Sequence, residues 1–370
     1  MTGLILVTGG AGFIGRHVVR VLLEKGHAVR VVDSLIEQVH HGREPDPILD
    51  ETDFLQGDVR DRELMGNAVR GVDKVVHLAA EVGVGQSMYA IDRYVSANDH
   101  GSAVLFQALS ANPVARVVVA SSMSIYGEGL YRDAAGGFVE SATRPAQQHP
   151  LTGWDPAGPC GEKLIAVATP EWKRPELASV YAVTKYVQER LTLTIAPAYG
   201  MEGVALRLFN VYGPGQALCN PYTGVLAIFA SRLANGERPL VFEDGEQRRD
   251  FVHVDDVARA FLLALEAKQA AGHVLNIGSG SDVSVTEVAQ AMARAMRKPH
   301  LCPEITNQAR VGDIRNCFAD ITRARQTLGF RPRRGLDDSL EELAAWVRRQ
   351  RAIDRVAEAR AELEERGLVT

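Results

Sequence analysis

Leu4-Ile-Leu-Val-Thr-Gly-Gly-Ala-Gly-Phe-Ile-Gly15 is the stretch whose reading decides the fold. Leu4 to Val7 is an unbroken aliphatic run, the pattern of a parallel strand buried on both faces. The glycines follow at once, and an amphipathic stretch from Arg16 to Glu24 follows them. Strand, glycine turn and helix in that order make a phosphate-binding unit. Gly9 permits the tight turn, Gly12 lets backbone amides approach a pyrophosphate, and Gly15 lets the helix lie close to the strand. The anion then rests at the helix N-terminus, where unpaired amides and the helix dipole favour negative charge.

Outward from this unit, strands and helices alternate. Ala28 to Val32 reads as a second strand ending at Asp33, 18 residues past Gly15. A carboxylate there accepts hydrogen bonds from an adenosine ribose and repels a 2'-phosphate, so NAD is expected rather than NADP. Residues 34–53 read as a surface loop. Phe54 to Val59 reads as a third strand, placing Asp58 and Val59 where an adenine would lie. Lys74 to Ala80 reads as a fourth, with Leu78, Ala79 and Ala80 small enough for a cofactor to cross the strand tips. A helix over Ile91–Leu109 carries Asn98, and Arg116 to Ala120 delivers Ser121 and Ser122 to the carboxyl edge, where ligands bind. The spacing predicts an α/β Rossmann-type doubly wound parallel sheet.

Tyr181-Ala-Val-Thr-Lys185 opens a run of good helix formers, and side chains four apart share a helix face. A phenol ordinarily titrates near pH ~10. An ammonium about 5 Å away, at an effective dielectric of about 20, favours the phenolate by roughly 3 kcal/mol, about 2 pKa units. The pair predicts a base poised near neutrality, suited to taking a proton from a sugar hydroxyl. A serine at the edge of the sheet, such as Ser122, can hydrogen-bond the same oxygen.

The rest of the chain bounds the setting. A net charge of -5 over 370 residues gives no basic excess, so nucleic acid is not an expected partner. Four singly scattered cysteines suit a reducing compartment, and no apolar run approaches a spanning helix, so a cytoplasmic, soluble protein away from membranes is expected. Residues 128–178 are rich in glycine, proline and polar residues, with Trp154 and Trp172 as large apolar anchors. They read as an ordered excursion over the active site or as a loose insertion. The expected organisation is a Rossmann domain over 1–205, a smaller α/β substrate region over 206–335 interleaved with its sheet, and a helical tail over 336–370. One charged helix is expected there, from about Leu336 to Glu365.

The set Thr8 to Gly15, Asp33, Gly57-Asp58, His77 to Ala80, Asn98, Ser121-Ser122, Tyr181 to Lys185, Leu208 to Pro214 and Arg249 to Asp255 resembles an extended short-chain dehydrogenase/reductase. The subgroup it resembles is the nucleotide-sugar epimerases and dehydratases, and the likeness runs from residue 3 to about residue 335. The resemblance implies Ser122, Tyr181 and Lys185 as catalytic residues, and a tightly held NAD. The cofactor would be touched by Gly9, Gly12, Phe13, Ile14, Gly15, Asp33, Asp58, Val59, Leu78, Ala79, Ala80, Asn98, Tyr181 and Lys185. It implies Val84, Ser122, Asn210, Arg249 and Arg310 at a sugar-nucleotide substrate, the two arginines clamping its diphosphate because guanidinium forks match phosphate oxygens. A homodimer through helices near Asn98 and Tyr181 is also implied.

In the 4,6-dehydratases and the decarboxylases of that family an acidic residue sits two positions after the catalytic hydroxyl, and in dehydratases Asp commonly precedes it. Here those places hold Met123 and Ser124. Elimination needs an acid and a base besides Tyr181, whereas epimerisation at carbon 4 needs only the tyrosine and the cofactor. A closer likeness is to the dTDP-L-rhamnose 4-epimerase group, in Glu81 to Met88, Asn220 to Gly224, Val311 to Arg315, Cys317 to Asp320 and the ending Arg366 to Val369. Two departures stand out: Gly215 replaces an arginine frequent in relatives, and Cys160 alone remains of paired cysteines, so no metal is expected. The expected substrate is dTDP-L-rhamnose, converted to dTDP-6-deoxy-L-talose. UDP-glucose or UDP-glucuronate 4-epimerisation is second, with a 4-ketoreductase, a 4,6-dehydratase or a non-catalytic NAD-binding regulator as competitors.

Overall fold

The structure is a computed structural model that describes residues 3–40, 45–142, 144, 153–158, 160–220, 222, 224–309, 312–350 and 356–369. Five strands open the chain: β1 (Leu4–Thr8), β2 (Ala28–Asp33), β3 (Asp53–Gln56), β4 (Lys74–His77) and β5 (Arg116–Ser122). With Glu202–Leu208 and Val274–Ile277 they form one seven-stranded sheet, ordered Val274–Ile277, Glu202–Leu208, β5, β4, β1, β2, β3. Every pairing in it is parallel. The order reverses between β1 and β4, which opens a crevice at their carboxyl ends.

Alternation along each strand explains how both faces are covered. Ile5 and Val7 bury against Val18, Val19 and Leu22 of the first helix, α1 (Phe13–Glu24), and against Phe261 of the Val254–Glu266 helix. Leu6, between them, faces the other way with Met65, Leu105 and Val117. A second core gathers Phe229, Met292, Leu340 and Leu343 from three later helices. The helix Leu336–Val347 thus belongs to the substrate-side core, and the single tail helix expected from the sequence is two, the second being Val356–Glu365.

Several boundaries differ from the sequence reading. The third strand stops at Gln56, leaving Gly57, Asp58 and Val59 in the loop beyond it. The fifth runs on to Ser122, so the hydroxyl sits on the last rung of the sheet. Asn210 lies on a separate strand, Asn210–Tyr212, paired with Phe251–His253. The expected helix over Ile91–Leu109 contains a π turn at Val95–His100, and Asn98 lies in it. Such turns recur at functional sites because they re-aim side chains.

The described residues of the insertion carry regular structure, and none of them lines the crevice. Leu130–Arg132, Phe138–Val139 and Ile165–Val167 form a small antiparallel sheet around Tyr131 and Leu164. It is tied instead to the 315–319 segment: Glu128 accepts from the Arg315 and Asn316 amides (2.7 and 3.2 Å), and Thr169 donates to the Phe318 carbonyl. Trp154 is buried, while Trp172 is exposed against Phe138.

The Val180–Ala198 helix is held to the sheet by a buried ion pair. Arg207 Nε and Nη2 donate to Glu189 Oε2 (2.9 Å) and Oε1 (2.7 Å), and Ser121 Oγ donates to Oε2 (2.7 Å). Removing one partner leaves a buried charge unpaired. Glu189→Ala should therefore lower unfolding free energy by about 3–5 kcal/mol, read from urea denaturation.

Candidate active site

The crevice is a cavity of about 650 Å³, and one of its halves is the glycine turn. Gly9 has φ +72°, and a Cβ on it would lie 2.8 Å from the Ala79 amide of the neighbouring loop. A Cβ on Gly15 would stand 2.2 Å from the Gly9 carbonyl. Nothing larger than glycine fits at either position. Gly12 caps α1 without a side chain and meets only the Gly9 carbonyl, so the helix amides face open space beside Phe13 and Ile14. Asp33 closes this half, accepting from the Ala11 amide (3.0 Å) and the Leu35 amide (2.9 Å). A carboxylate has about four lone-pair sites, so a ribose hydroxyl can still be bound. Asp58, whose carboxyl the Arg60 guanidinium holds below its usual range, borders the adjoining wall with Val59. Leu78, Ala79 and Ala80 form the floor. A cradle for a diphosphate ending in a ribose acceptor fits a dinucleotide.

Ser122, Tyr181 and Lys185 meet at the centre of the cavity wall. Ser179 starts the tyrosine helix by accepting from the Ala182 amide (3.1 Å), and the Tyr181 amide donates to Ser87 Oγ (3.0 Å). The Tyr181 ring stands edge-on to Tyr94, with centroids 6.5 Å apart. Ser124 donates both its amide (3.1 Å) and its hydroxyl (2.9 Å) to Ser122 Oγ. With those acceptor sites filled, Ser122 directs its own proton to the Tyr181 oxygen, with which it is hydrogen-bonded.

The electrostatics correct the expectation drawn from the sequence. Burial pushes the Tyr181 phenol above its ordinary value, and only the Ser122 hydrogen bond pulls it back. Burial also brings the Lys185 amine down, to about 7. Loss of solvent disfavours both charged forms and outweighs the through-space attraction expected of a four-residue spacing.

Lys185 is engaged by residues the sequence reading passed over. Its Nζ donates to Gln188 Oε1 at 2.6 Å. The Gln188 amide nitrogen donates to Ser102 Oγ (2.9 Å) and to the Ala79 carbonyl (3.2 Å), which fixes the amide's orientation with its oxygen toward the lysine. Ser102 in turn donates to the Asn98 carbonyl (2.5 Å). His77, held neutral by burial at about 3, sits between Ser102 and Thr8. The visible signal for Gln188 was its position three residues after Lys185, on the same helical face.

The expected residues divide in position. Val84, Asn210 and Arg249 line the other half of the cavity. Asn210 donates to the Asp250 carbonyl (2.9 Å), and Arg249 to the carbonyls of Arg248, Ile314 and Arg315. Arg310 lies outside the described residues. Asn98 is fully buried. Its amide donates to Thr184 Oγ1 (2.9 Å) and the Glu81 carbonyl (3.1 Å), tying the Glu81 loop to the tyrosine helix. At Gly215 (φ +99°), a Cβ would lie 3.3 Å from the Arg16 guanidinium, so Arg16 fills the space beside it.

Comparison with known proteins places this geometry. The description "NAD dependent epimerase/dehydratase family" matches residues 5–278. The dTDP-L-rhamnose 4-epimerase of Burkholderia thailandensis is 33% identical over 349 residues, spanning 93% of this chain and 94% of that protein. The structure of MoeE5 in complex with UDP-glucuronic acid and NAD has 34% identity and a TM-score of 0.74, covering 94% of this chain and 99% of its own. The UDP-glucose 4-epimerase of Thermotoga maritima with UDP-glucose has 31% identity and a TM-score of 0.73, covering 93% and 98%.

The Gln188 contact generates a pH prediction. If Lys185 must carry its proton, activity is present below the amine's pKa and lost as pH rises through it. Gln188→Leu removes the acceptor and should move the alkaline limb of kcat/KM to lower pH. Gln188→Glu adds a counter-charge and should move it higher. A shift of about one unit costs or gains about tenfold in activity on that limb. Identical limbs in pH–rate profiles of both variants would contradict this role.

Proposed function

Because this chain belongs to the NAD dependent epimerase/dehydratase family, we propose that it is a nucleotide-sugar 4-epimerase, and that its substrate is dTDP-L-rhamnose, converted to dTDP-6-deoxy-L-talose. The observation that carries the reaction is the Ser124–Ser122–Tyr181 chain of hydroxyls. The position where an eliminating enzyme needs an acidic residue holds a serine engaged in orienting Ser122, and Met123 beside it is apolar. The substrate assignment is supported by the 33% identity to the Burkholderia thailandensis enzyme. A second substrate class, UDP-glucuronate or UDP-glucose, is supported by the similarity to MoeE5, solved with UDP-glucuronic acid.

Gly9, Gly12 and Gly15 would hold oxidised NAD, which would supply a positive charge and a reversible acceptor for the hydride of carbon 4. Phenol plus amine differs from phenolate plus ammonium by one proton moved, so a cation near the phenol favours the second arrangement. The Tyr181 oxygen takes the proton of the sugar 4-hydroxyl while Ser122 holds that oxygen by a hydrogen bond. Lys185, kept in place by Gln188, balances the charge. The 4-keto sugar turns about its diphosphate link and is reduced from its other face, and Tyr181 returns the proton. Asn210 and Arg249 stand on the wall where the diphosphate would pivot.

We place the enzyme in the cytoplasm, where its four cysteines would remain reduced. No described helix is long and apolar enough to cross a membrane. We further infer a homodimer through the face that exposes Ile91, Val95 and Val183 on the two neighbouring helices. Light scattering should then give about twice the 40.2 kDa chain mass.

The test is turnover of a sugar-nucleotide panel followed by NMR in deuterated water. Epimerisation should proceed without added reductant and without deuterium entering the sugar carbons, since the hydrogen leaves and returns as hydride. Deuterium at carbon 5 would indicate elimination chemistry, and stoichiometric release of NADH a one-way oxidation. Tyr181→Phe should lower kcat by about 10²–10⁴-fold while NAD remains bound. Unchanged turnover in that variant would remove Tyr181 as the base.

A further inference from the structure

The second tail helix, Val356–Glu365, returns across the mouth of the crevice and contributes to its wall. Its anchor is a three-way contact: Tyr89 and Tyr222 both donate to Glu362 Oε2 (2.6 and 2.8 Å), with their own hydroxyls 2.7 Å apart. The Arg366 guanidinium lies 4.4 Å from the Tyr89 ring centroid. Arg360 is paired with Glu364 (2.7 Å) and donates to Gln308 Oε1 (2.9 Å). Tyr89 belongs to the nucleotide-binding half of the molecule, Tyr222 and Gln308 to the substrate half, so the tail straps one to the other.

The end of the helix is shaped to turn apolar groups inward. Gly367 (φ +68°) ends it, with the Gly367 amide donating to the Glu364 carbonyl and the Leu368 amide to the Leu363 carbonyl. This is the two-bond termination that brings the residue after the glycine back onto the last turn. Leu363, Leu368 and Val369 consequently line the cavity. Leu363 is buried against Gly85, where a Cβ would lie 3.6 Å from it. Gly85 is on the same short turn as Ser87, which accepts from the Tyr181 amide. The apolar wall therefore faces the end of the cavity where the sugar must sit for Tyr181 and Ser122 to reach its 4-oxygen.

We propose that residues 356–369 form part of the sugar site, and that Leu363, Leu368 and Val369 select a methyl group on carbon 5 over a hydroxymethyl or a carboxylate. The selection rests on the nucleotide-sugar reading above. The aliphatic side chains of Leu363, Leu368 and Val369 gain by covering a methyl group and strip water from a hydroxyl or a carboxylate without replacing its hydrogen bonds. The one cationic side chain of the segment on the cavity, Arg360, already has a carboxylate partner in Glu364.

The test measures binding by calorimetry to the NAD-loaded Tyr181→Phe enzyme, so that no turnover intervenes. Ligand pairs share a nucleotide: dTDP-6-deoxyglucose with dTDP-glucose, and UDP-glucose with UDP-glucuronate. The intact tail should prefer the 6-deoxy sugar by about tenfold, and a chain ending at Gln350 should lose that preference while binding dTDP alone within about twofold. Glu362→Ala, which releases both tyrosine hydroxyls, should give an intermediate loss. Leu368→Arg should raise affinity for UDP-glucuronate relative to UDP-glucose by about tenfold. NAD content and melting temperature report whether each variant folds, and the two point variants serve if the truncated chain does not. Unchanged ratios in all folded variants would overturn the proposal. Failure of the wild-type enzyme to turn over dTDP-L-rhamnose would count against the rhamnose reading alone, because the matched pairs decide the wall without it.

Discussion

Water exclusion around one phenol and one amine is the constraint on which the site depends. Tyr181 and Lys185 lie on a helix pinned to the sheet by the buried Glu189–Arg207 pair, and both line a cavity whose walls come from opposite ends of the chain. Burial works against both charged forms, raising the phenol and lowering the amine to about 7. In water the two groups titrate close together, near pH ~10. Burial drives them apart and favours the neutral pair, so a positive charge beside the phenol is needed to form the phenolate. Ser122 and Gln188 are the two partners that keep this balance directed, one at the oxygen and one at the nitrogen.

The two halves of the cavity carry different kinds of specificity. On the dinucleotide side the backbone dominates: the turn at Gly9 and the contact at Gly15 exclude side chains and leave the helix amides open to an anion. Asp33 and Asp58 add side chains to that half. The substrate side is built from side chains of several distant segments, including Asn210, Arg249 and the end of the tail. Relatives at similar identity carry different sugars in their names.

The dinucleotide half was legible in the sequence because its signals are local. A strand, a glycine turn and a helix occupy 21 consecutive residues, Leu4 to Glu24, and their steric demands leave one arrangement. Tyr181, Lys185 and Ser122 were legible for the same reason, by helical spacing and by position at a strand end. What the sequence could not disclose depends on long-range packing. The insertion's composition gives no direction, and its described part is fixed by contacts of Glu128 and Thr169 with residues far along the chain, 315 to 318. The tail's return rests on Glu362 meeting Tyr89 and Tyr222, pairs with no periodicity to betray them. The direction of the phenol's shift was missed because a charge at helical spacing can be read from residue types, whereas the extent of burial cannot.

Direct titration of the Tyr181 phenol, by ultraviolet difference spectra between the wild-type protein and Tyr181→Phe, tests the central claim. With oxidised NAD bound, the phenolate band should already be present near neutral pH, and reduction of the bound cofactor at the same pH should abolish it. A phenol that titrates above its ordinary value of ~10 in both cofactor states would contradict the account.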